Sequence, residues 1–326
     1  MAVNSFYAQK AANQRNSLLL AAAVTVVLAA LGFSIGYALT GYPEGGIGAT
    51  ALAVGLGVVM SLGTYFAGDS LVLGVSGARL VDEKTAPQLL NVVRELSLAA
   101  GVPMPRVFII DDTAPNAFAT GRDPQHASIA ITTGLLDKLD REELQGVIGH
   151  ELSHVRNLDI RFTLLVGVMV GSIALLADFF LRSLWWGGGG RGRSRDREGG
   201  GGIQALFMLL AIVLAVIAPI LAHLIQLAVS RQREYLADTS SVELTRNPRG
   251  LERALAKIAT DREPLEAANR ATAHLYFTNP VKHWEARSKD FMSTHPPIVD
   301  RINRLRQLTG EQPLETSDVQ ALAGLD

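Results

Sequence analysis

The sequence contains no cysteine, which excludes disulfides, thiol nucleophiles and thiolate metal ligands together. Histidine and carboxylate remain as the side chains able to bind a metal. Aromatic residues are 6% of the 326 residues and charged residues 19%, below the roughly 25% usual for soluble domains. Net charge is −1, so the chain lacks the basic footprint of a nucleic-acid binder, and no nucleic-acid partner is expected. What is abundant is apolar: 48% of residues are hydrophobic and mean hydropathy is +0.22. That is too apolar for an ordinary soluble domain.

The excess is concentrated in four blocks. Leu18 to Leu39 is 22 residues without a charge, with Lys10 and Arg15 before it. At 1.5 Å per residue it spans about 30 Å of hydrocarbon. No A-x-A site closes it and it is long for a signal peptide, so it reads as a signal anchor. Ile47 to Ala67 is a second uncharged run, rich in the Gly, Ala and Ser that let membrane helices pack closely. Between them Tyr42-Pro43-Glu44-Gly45-Gly46 reads as a tight hairpin without Lys or Arg. The cations lie at Lys10, Arg15, Arg79 and Lys84, which directs both hairpin ends to the cytoplasm. The third block, Phe162 to Leu181, is broken late by Asp178, and Trp185-Trp186 closes it as interfacial aromatics do. The fourth runs from Ala205 to Ala222 and on through His223 to Val229. Residues 187–202 between them form a glycine-arginine linker. Its arginines oppose the positive-inside rule if blocks three and four span. Two arrangements follow: full spanning, or embedding at the cytoplasmic surface.

The segments between the blocks read as soluble. Helical spacing covers Thr85 to Ala100 and stops at Gly101. Arg106 to Ile110, Asn116 to Gly121 and Ala127 to Thr132 read as strands. A helix starts near Asp140, with Glu143 at capping-box spacing, and ends near Asn157 or Leu158. Beyond Ser230, an amphipathic helix covers Arg249 to Thr260 and a last one Ile298 to Leu308, with a loop from Pro280 to Pro297. The domain division expected is a membrane hairpin in 1–75 and a first catalytic part in 76–161. A second membrane hairpin in 162–229 and a second catalytic part in 230–326 follow. The fold class is mainly α (α+β): about four membrane helices and a cytoplasmic catalytic domain with a small β-sheet.

The chemistry concentrates in His150-Glu151-Leu152-Ser153-His154, which reads H-E-x-x-H on a helix. Histidines at i and i+4 share one face about 6 Å apart, so both imidazoles reach one Zn²⁺. Glu151 lies beside the metal and can take a proton from a water on it. A catalytic zinc needs a third protein ligand. Glu234 and Asp238 stand at i and i+4 in the helix leaving the fourth block. Glu234 can ligate, while Asp238 accepts the free N–H of a ligand histidine. Alone, that pair reads more readily as a solvated helix face with ordinary ion pairs; beside H-E-x-x-H the balance reverses. His223 lies in the fourth block near its end, within reach of the interface, and His126, His274 and His283 lack partners at ligand spacing. Asp178 either lies near the far interface or pairs with Arg182 at i+4.

Four segments together, Pro115 to Gly121, His150 to His154, Ser230 to Asp238 and Ser293 to Pro297, resemble the membrane gluzincin peptidases of the HtpX type. That family also includes the CAAX prenyl proteases. The resemblance implies that His150, His154 and Glu234 hold one Zn²⁺ per subunit, with Glu151 as general base and acid. It implies backbone pairing of substrate with Asn116-Ala117-Phe118 or the strand after it. His295 either donates to the developing oxyanion or caps the Pro296-Pro297 turn. The function implied is a zinc endopeptidase of the cell membrane, active on misfolded or damaged membrane proteins at the cytoplasmic face. Its partners are protein or peptide substrates and the lipid bilayer. The competing readings are a CAAX-type processing protease, an inactive metal-bound scaffold and a transporter. An intact Glu151 argues against the scaffold. The absence of internal repeats argues against the transporter.

Overall fold

The computed structural model describes residues 6–187, 201–261, 263, 265, 277, 296–315 and 318–324. His295, His274, His283 and most of the glycine-arginine linker lie outside them. The protein is mainly α, as expected, and divides into two compact units. One comprises Met1–Lys10, Tyr65–Thr163 and Leu227–Asp326; the other comprises Ala11–Thr64 and Leu164–Gln226.

The second unit is built from long apolar helices. Helix α1 covers Phe6–Thr40 and α2 covers Pro43–Val75. The turn is shorter than the five-residue hairpin read from sequence. Gly41 adopts φ 79° after α1 and Pro43 starts α2, where its missing N–H costs nothing. Gly45 sits at a close approach instead: a Cβ on it would run into the Thr40 side chain, and a Cβ on Gly36 into the Gly45 carbonyl oxygen. Helix α6 (Asp159–Gly187) and the first half of α7 (Gly201–Thr245) complete the unit. Among the described residues, four stretches are long and apolar enough to cross a membrane: Ala22–Thr40, Pro43–Val75, Asp159–Leu184 and Gly202–Leu224. Leu52, Val59, Leu175, Leu206 and Val216 are exposed on them, an apolar surface suited to lipid. In α6 the expected ion pair is present, Arg182 Nε donating to Asp178 at 2.7 Å.

The first unit holds the sheet. Its strands are β1 (Arg79–Leu80), β2 (Arg106–Ile110), β3 (Ala117–Gly121) and β4 (Ala127–Thr132), in the order β1-β2-β4-β3. Strands β2 and β4 are parallel; the outer pairings are antiparallel. Strand β4 is therefore paired on both sides, and of the two strands read as substrate-binding β3 lies at the edge of the sheet among the described residues, where its Ala117 carbonyl accepts from the Phe277 N–H at 2.7 Å. Helices α3 (Pro87–Ala100), α5 (Arg141–Arg156), α8 (Pro248–Thr260) and α9 (Ile298–Thr309) pack with the sheet around one core that includes Val92, Ile129, Ile148, Leu255 and Ile302. Strand β1 and helix α4 (Thr133–Lys138) have no counterpart in the sequence reading. Both are too short to show periodicity.

Candidate metal centre

Helix α5 begins at a complete capping box. The Glu143 N–H donates to Asp140 Oδ1 at 2.9 Å, and the Asp140 N–H donates to Glu143 Oε2 at 2.8 Å. Two glycines let its neighbours approach. A Cβ on Gly146 would lie 2.7 Å from the backbone of Leu251 in α8, and one on Gly149 would lie 2.8 Å from Ser241 Oγ in α7. Ser241 Oγ donates to the Gly146 carbonyl at 2.6 Å. This contact fixes α7 against α5, and Asp238 and Glu234, three and seven residues before Ser241, fall alongside His150.

Three side chains converge there. His150 Nε2 and His154 Nε2 are 3.1 Å apart. Glu234 places Oε2 3.5 Å from the first and Oε1 3.4 Å from the second. Each imidazole points its other nitrogen at a carboxylate, His150 Nδ1 at Asp238 Oδ1 (2.9 Å) and His154 Nδ1 at Asp159 Oδ2 (3.1 Å). Those hydrogen bonds set the tautomer: Nδ1 carries the proton and Nε2 offers a lone pair. Two lone pairs and a carboxylate facing one another repel unless a cation sits among them. Ligand atoms about 2.0–2.1 Å from a tetrahedral zinc lie about 3.3 Å from each other, the spacing found here. The donor set fits zinc.

Electrostatics agree. Burial works to lower the His154 imidazole, but the carboxylates of Asp159 and Glu234 outweigh it and hold its pKa well above 6.5. The negative field that favours a proton there favours a divalent cation more. Burial pushes the Glu151 carboxyl up, opposed by His150 and His154 and reinforced by Glu234. Glu151 is buried, and its Oε1 has no hydrogen-bond partner among the described residues. A buried carboxylate oxygen without a partner is costly and marks a group kept for chemistry.

Arg301 of α9 is fully buried and bidentate to Asp238, through Nε to Oδ2 (2.9 Å) and Nη2 to Oδ1 (2.7 Å). Its Nη1 lies 3.5 Å from Glu234 and donates to the Phe277 carbonyl at 3.2 Å. Burial works to raise the Asp238 carboxyl, and Arg301 with His150 overcomes it and holds it below the usual carboxylate range.

Of the residues read from sequence, His150, Glu151, His154, Glu234 and Asp238 are thus gathered in one place. Asn116 and Phe118 are adjacent to it in the chain fold but turned inward. The Asn116 side chain accepts from the Ala117 N–H at 3.0 Å, and the Phe118 ring is buried in a second core with Phe108 and Ile110. His126 pairs with Asp123 on the surface, and His223 belongs to no metal-ligand group among the described residues. Asp159 and Arg301 went unread. The available signals were an acidic residue five positions after the second histidine, and an arginine on the apolar stripe of Ile298, Ile302 and Leu305.

Residues 83–309 match Peptidase family M48. A "Protease HtpX homolog" of Ligilactobacillus salivarius is 42% identical over 302 residues, covering 93% of this chain and 99% of that protein. One of Streptococcus pneumoniae is 43% identical over 300 residues, covering 92% and 99%. A crystal structure of S. mikatae Ste24p has a TM-score of 0.49 at 18% identity, over 78% of this chain and 57% of that one. M48 metalloproteases are zinc-dependent and hydrolyse proteins or peptides. With four membrane-capable helices and a converged His-His-Glu set, the chain belongs to peptidase family M48 and is a membrane metalloprotease.

Proposed function

We propose that the chain is a zinc endopeptidase that cuts unfolded or damaged membrane proteins at the cytoplasmic face. The observation that carries this is the convergence of His150, His154 and Glu234 beside an unpartnered buried oxygen of Glu151. Zinc held by those three residues supplies a Lewis acid for the scissile carbonyl and lowers the pKa of a water toward 7. Glu151 Oε1 takes the proton of the attacking water and returns it to the leaving nitrogen. Burial raises that carboxyl, which makes its carboxylate the stronger base in the first transfer. Asp238 and Asp159 keep the two imidazoles in the tautomer that presents Nε2.

The substrate pairs its backbone with the edge of β3 beyond Ala117, whose carbonyl is already taken by the Phe277 N–H. With the Phe118 ring in a core and the Asn116 amide bonded to its neighbour, what β3 offers is main chain. Recognition by main-chain hydrogen bonds demands an extended chain and tolerates most side chains, which selects unfolded segments. The cations flanking the first two helices support a cytoplasmic catalytic unit. Purified protein should cleave a reduced, unfolded substrate and spare its native form; equal cleavage of both forms refutes selection by extension. The lack of native cysteine makes topology simple to test. Leu98→Cys, at a site 79% exposed, should resist an impermeant thiol reagent in intact cells and react after permeabilisation. Labelling in intact cells reverses the orientation.

A further inference from the structure

Behind His150 stands a stack of three: the carboxylate of Asp238, the guanidinium of Arg301, and the ring of Phe277, whose centroid is 4.6 Å from the guanidinium carbon. The same order of groups recurs behind His154. Asp159 Oδ2 meets His154 Nδ1 at 3.1 Å, Arg233 Nη1 meets Asp159 Oδ1 at 3.3 Å, and the Arg233 guanidinium carbon lies 3.5 Å from the Phe162 ring centroid. Asp159 and Arg233 are both buried. The chain reaches this arrangement through a strained turn: Leu158 has φ 62°, a conformation bulky side chains avoid. The turn ends α5 and restarts the chain as α6, so Asp159 comes back to an imidazole only five residues upstream.

We infer that Asp159 and Arg233, backed by Phe162, are positioning residues that hold His154 to the metal, a second stack equivalent to the one behind His150. Arg233 immediately precedes Glu234 in α7, so one ion pair ties the carboxylate ligand on α7 to the second histidine ligand on α5. Its location adds a constraint. Asp159 and Phe162 are in the first turn of the third membrane-capable stretch. That turn therefore combines two tasks, beginning an apolar helix and orienting a ligand. A charged residue there has a use that membrane insertion alone does not explain.

The inference rests on His150, His154 and Glu234 being the ligands, and the experiment separates the two. Zinc affinity of detergent-purified full-length protein is measured by competition with a chelator. The visible spectrum of the Co²⁺-loaded protein is recorded alongside. Asp159→Leu should bind zinc about 10–100-fold more weakly, the usual cost of losing such a partner. Asp159→Asn keeps an oxygen toward Nδ1 and should recover much of that loss, which a merely structural role would not produce. Arg233→Gln should fall between the two and alter the Co²⁺ bands. Because Arg233→Gln leaves a buried carboxylate without its cation, Asp159→Asn/Arg233→Gln serves where the single variant does not fold. The double variant should bind no more weakly than the weaker of its two parents. Wild-type zinc affinity and Co²⁺ bands in Asp159→Leu and Arg233→Gln, with zinc lost in Glu234→Ala, overturn this inference alone. Zinc retained by Glu234→Ala overturns the ligand set and the inference together.

Discussion

Arg301→Met is the substitution with the largest consequence that is not itself a change of a ligand or base. It keeps the volume near that of the arginine stem and removes the charge. Asp238 then remains buried with His150 Nδ1 as its remaining close partner. Breaking one side of a buried pair costs about 3–5 kcal/mol, because the other charge is left without compensation. At about 2–4 °C per kcal/mol for a unit of this size, the unfolding midpoint should fall by about 6–20 °C. The pH dependence carries a sign. In the wild type, burial raises the Asp238 carboxyl, but Arg301 and His150 hold it below 3.8. Its contribution to stability is present above that value and is lost as pH falls through the lower folded value. Without Arg301, burial dominates and the carboxyl rises. The deficit of the variant should be greatest near neutral pH and shrink on acidification, as protonation removes the stranded charge. Thermal unfolding of chelator-treated protein across pH 5–8 measures both effects. A midpoint within about 2 °C of the wild type throughout would refute the buried pair as the fold's link between α9 and the metal centre.

Further outcomes follow from the same geometry. Glu234→Ala should copurify without zinc while its fold persists, and metal analysis reads this directly; full occupancy would move the third ligand elsewhere. Protons compete with metal for His154, whose pKa is held well above 6.5. Apparent zinc affinity should therefore rise with pH, by about tenfold per unit for each proton displaced, and a flat profile between pH 6 and 8 counts against His154 as a ligand. Gly146→Ala forces a Cβ to within 2.7 Å of the Leu251 backbone, so α8 must shift. The cost should be about 1–3 kcal/mol of stability, with weaker zinc binding because α7 rests on the same face of α5.

Much of this was legible because the signals were local. The capping box at Asp140 and Glu143 and the strand at Arg106–Ile110 appeared where read, since each depends on neighbours in sequence. The Glu234–Asp238 pair was readable only beside H-E-x-x-H, as its spacing alone also describes a solvated face. What stayed hidden depends on contacts between distant segments. Arg301 looks like a surface arginine until α9 is packed on Asp238, 63 residues away in sequence. Asp159 looks like the polar start of an apolar helix until Leu158 turns the chain back on His154. The hairpin turn was misjudged in length because Gly45 and Gly46, which read as turn residues, sit inside α2, where Gly45 meets Gly36. The order β1-β2-β4-β3 could not be read from strand positions either, and it decides which strand has an edge for substrate.

The most direct test of the central claim is cleavage of an unfolded protein such as casein by purified, zinc-loaded chain, measured beside Glu151→Gln. The variant retains the three proposed ligands and should bind zinc like the wild type. Cleavage by the wild type, abolished by a chelator and absent from Glu151→Gln, is the expected result. Equal cleavage by both proteins would contradict it, removing Glu151 from the proton transfers and, with it, the chemistry assigned to this site.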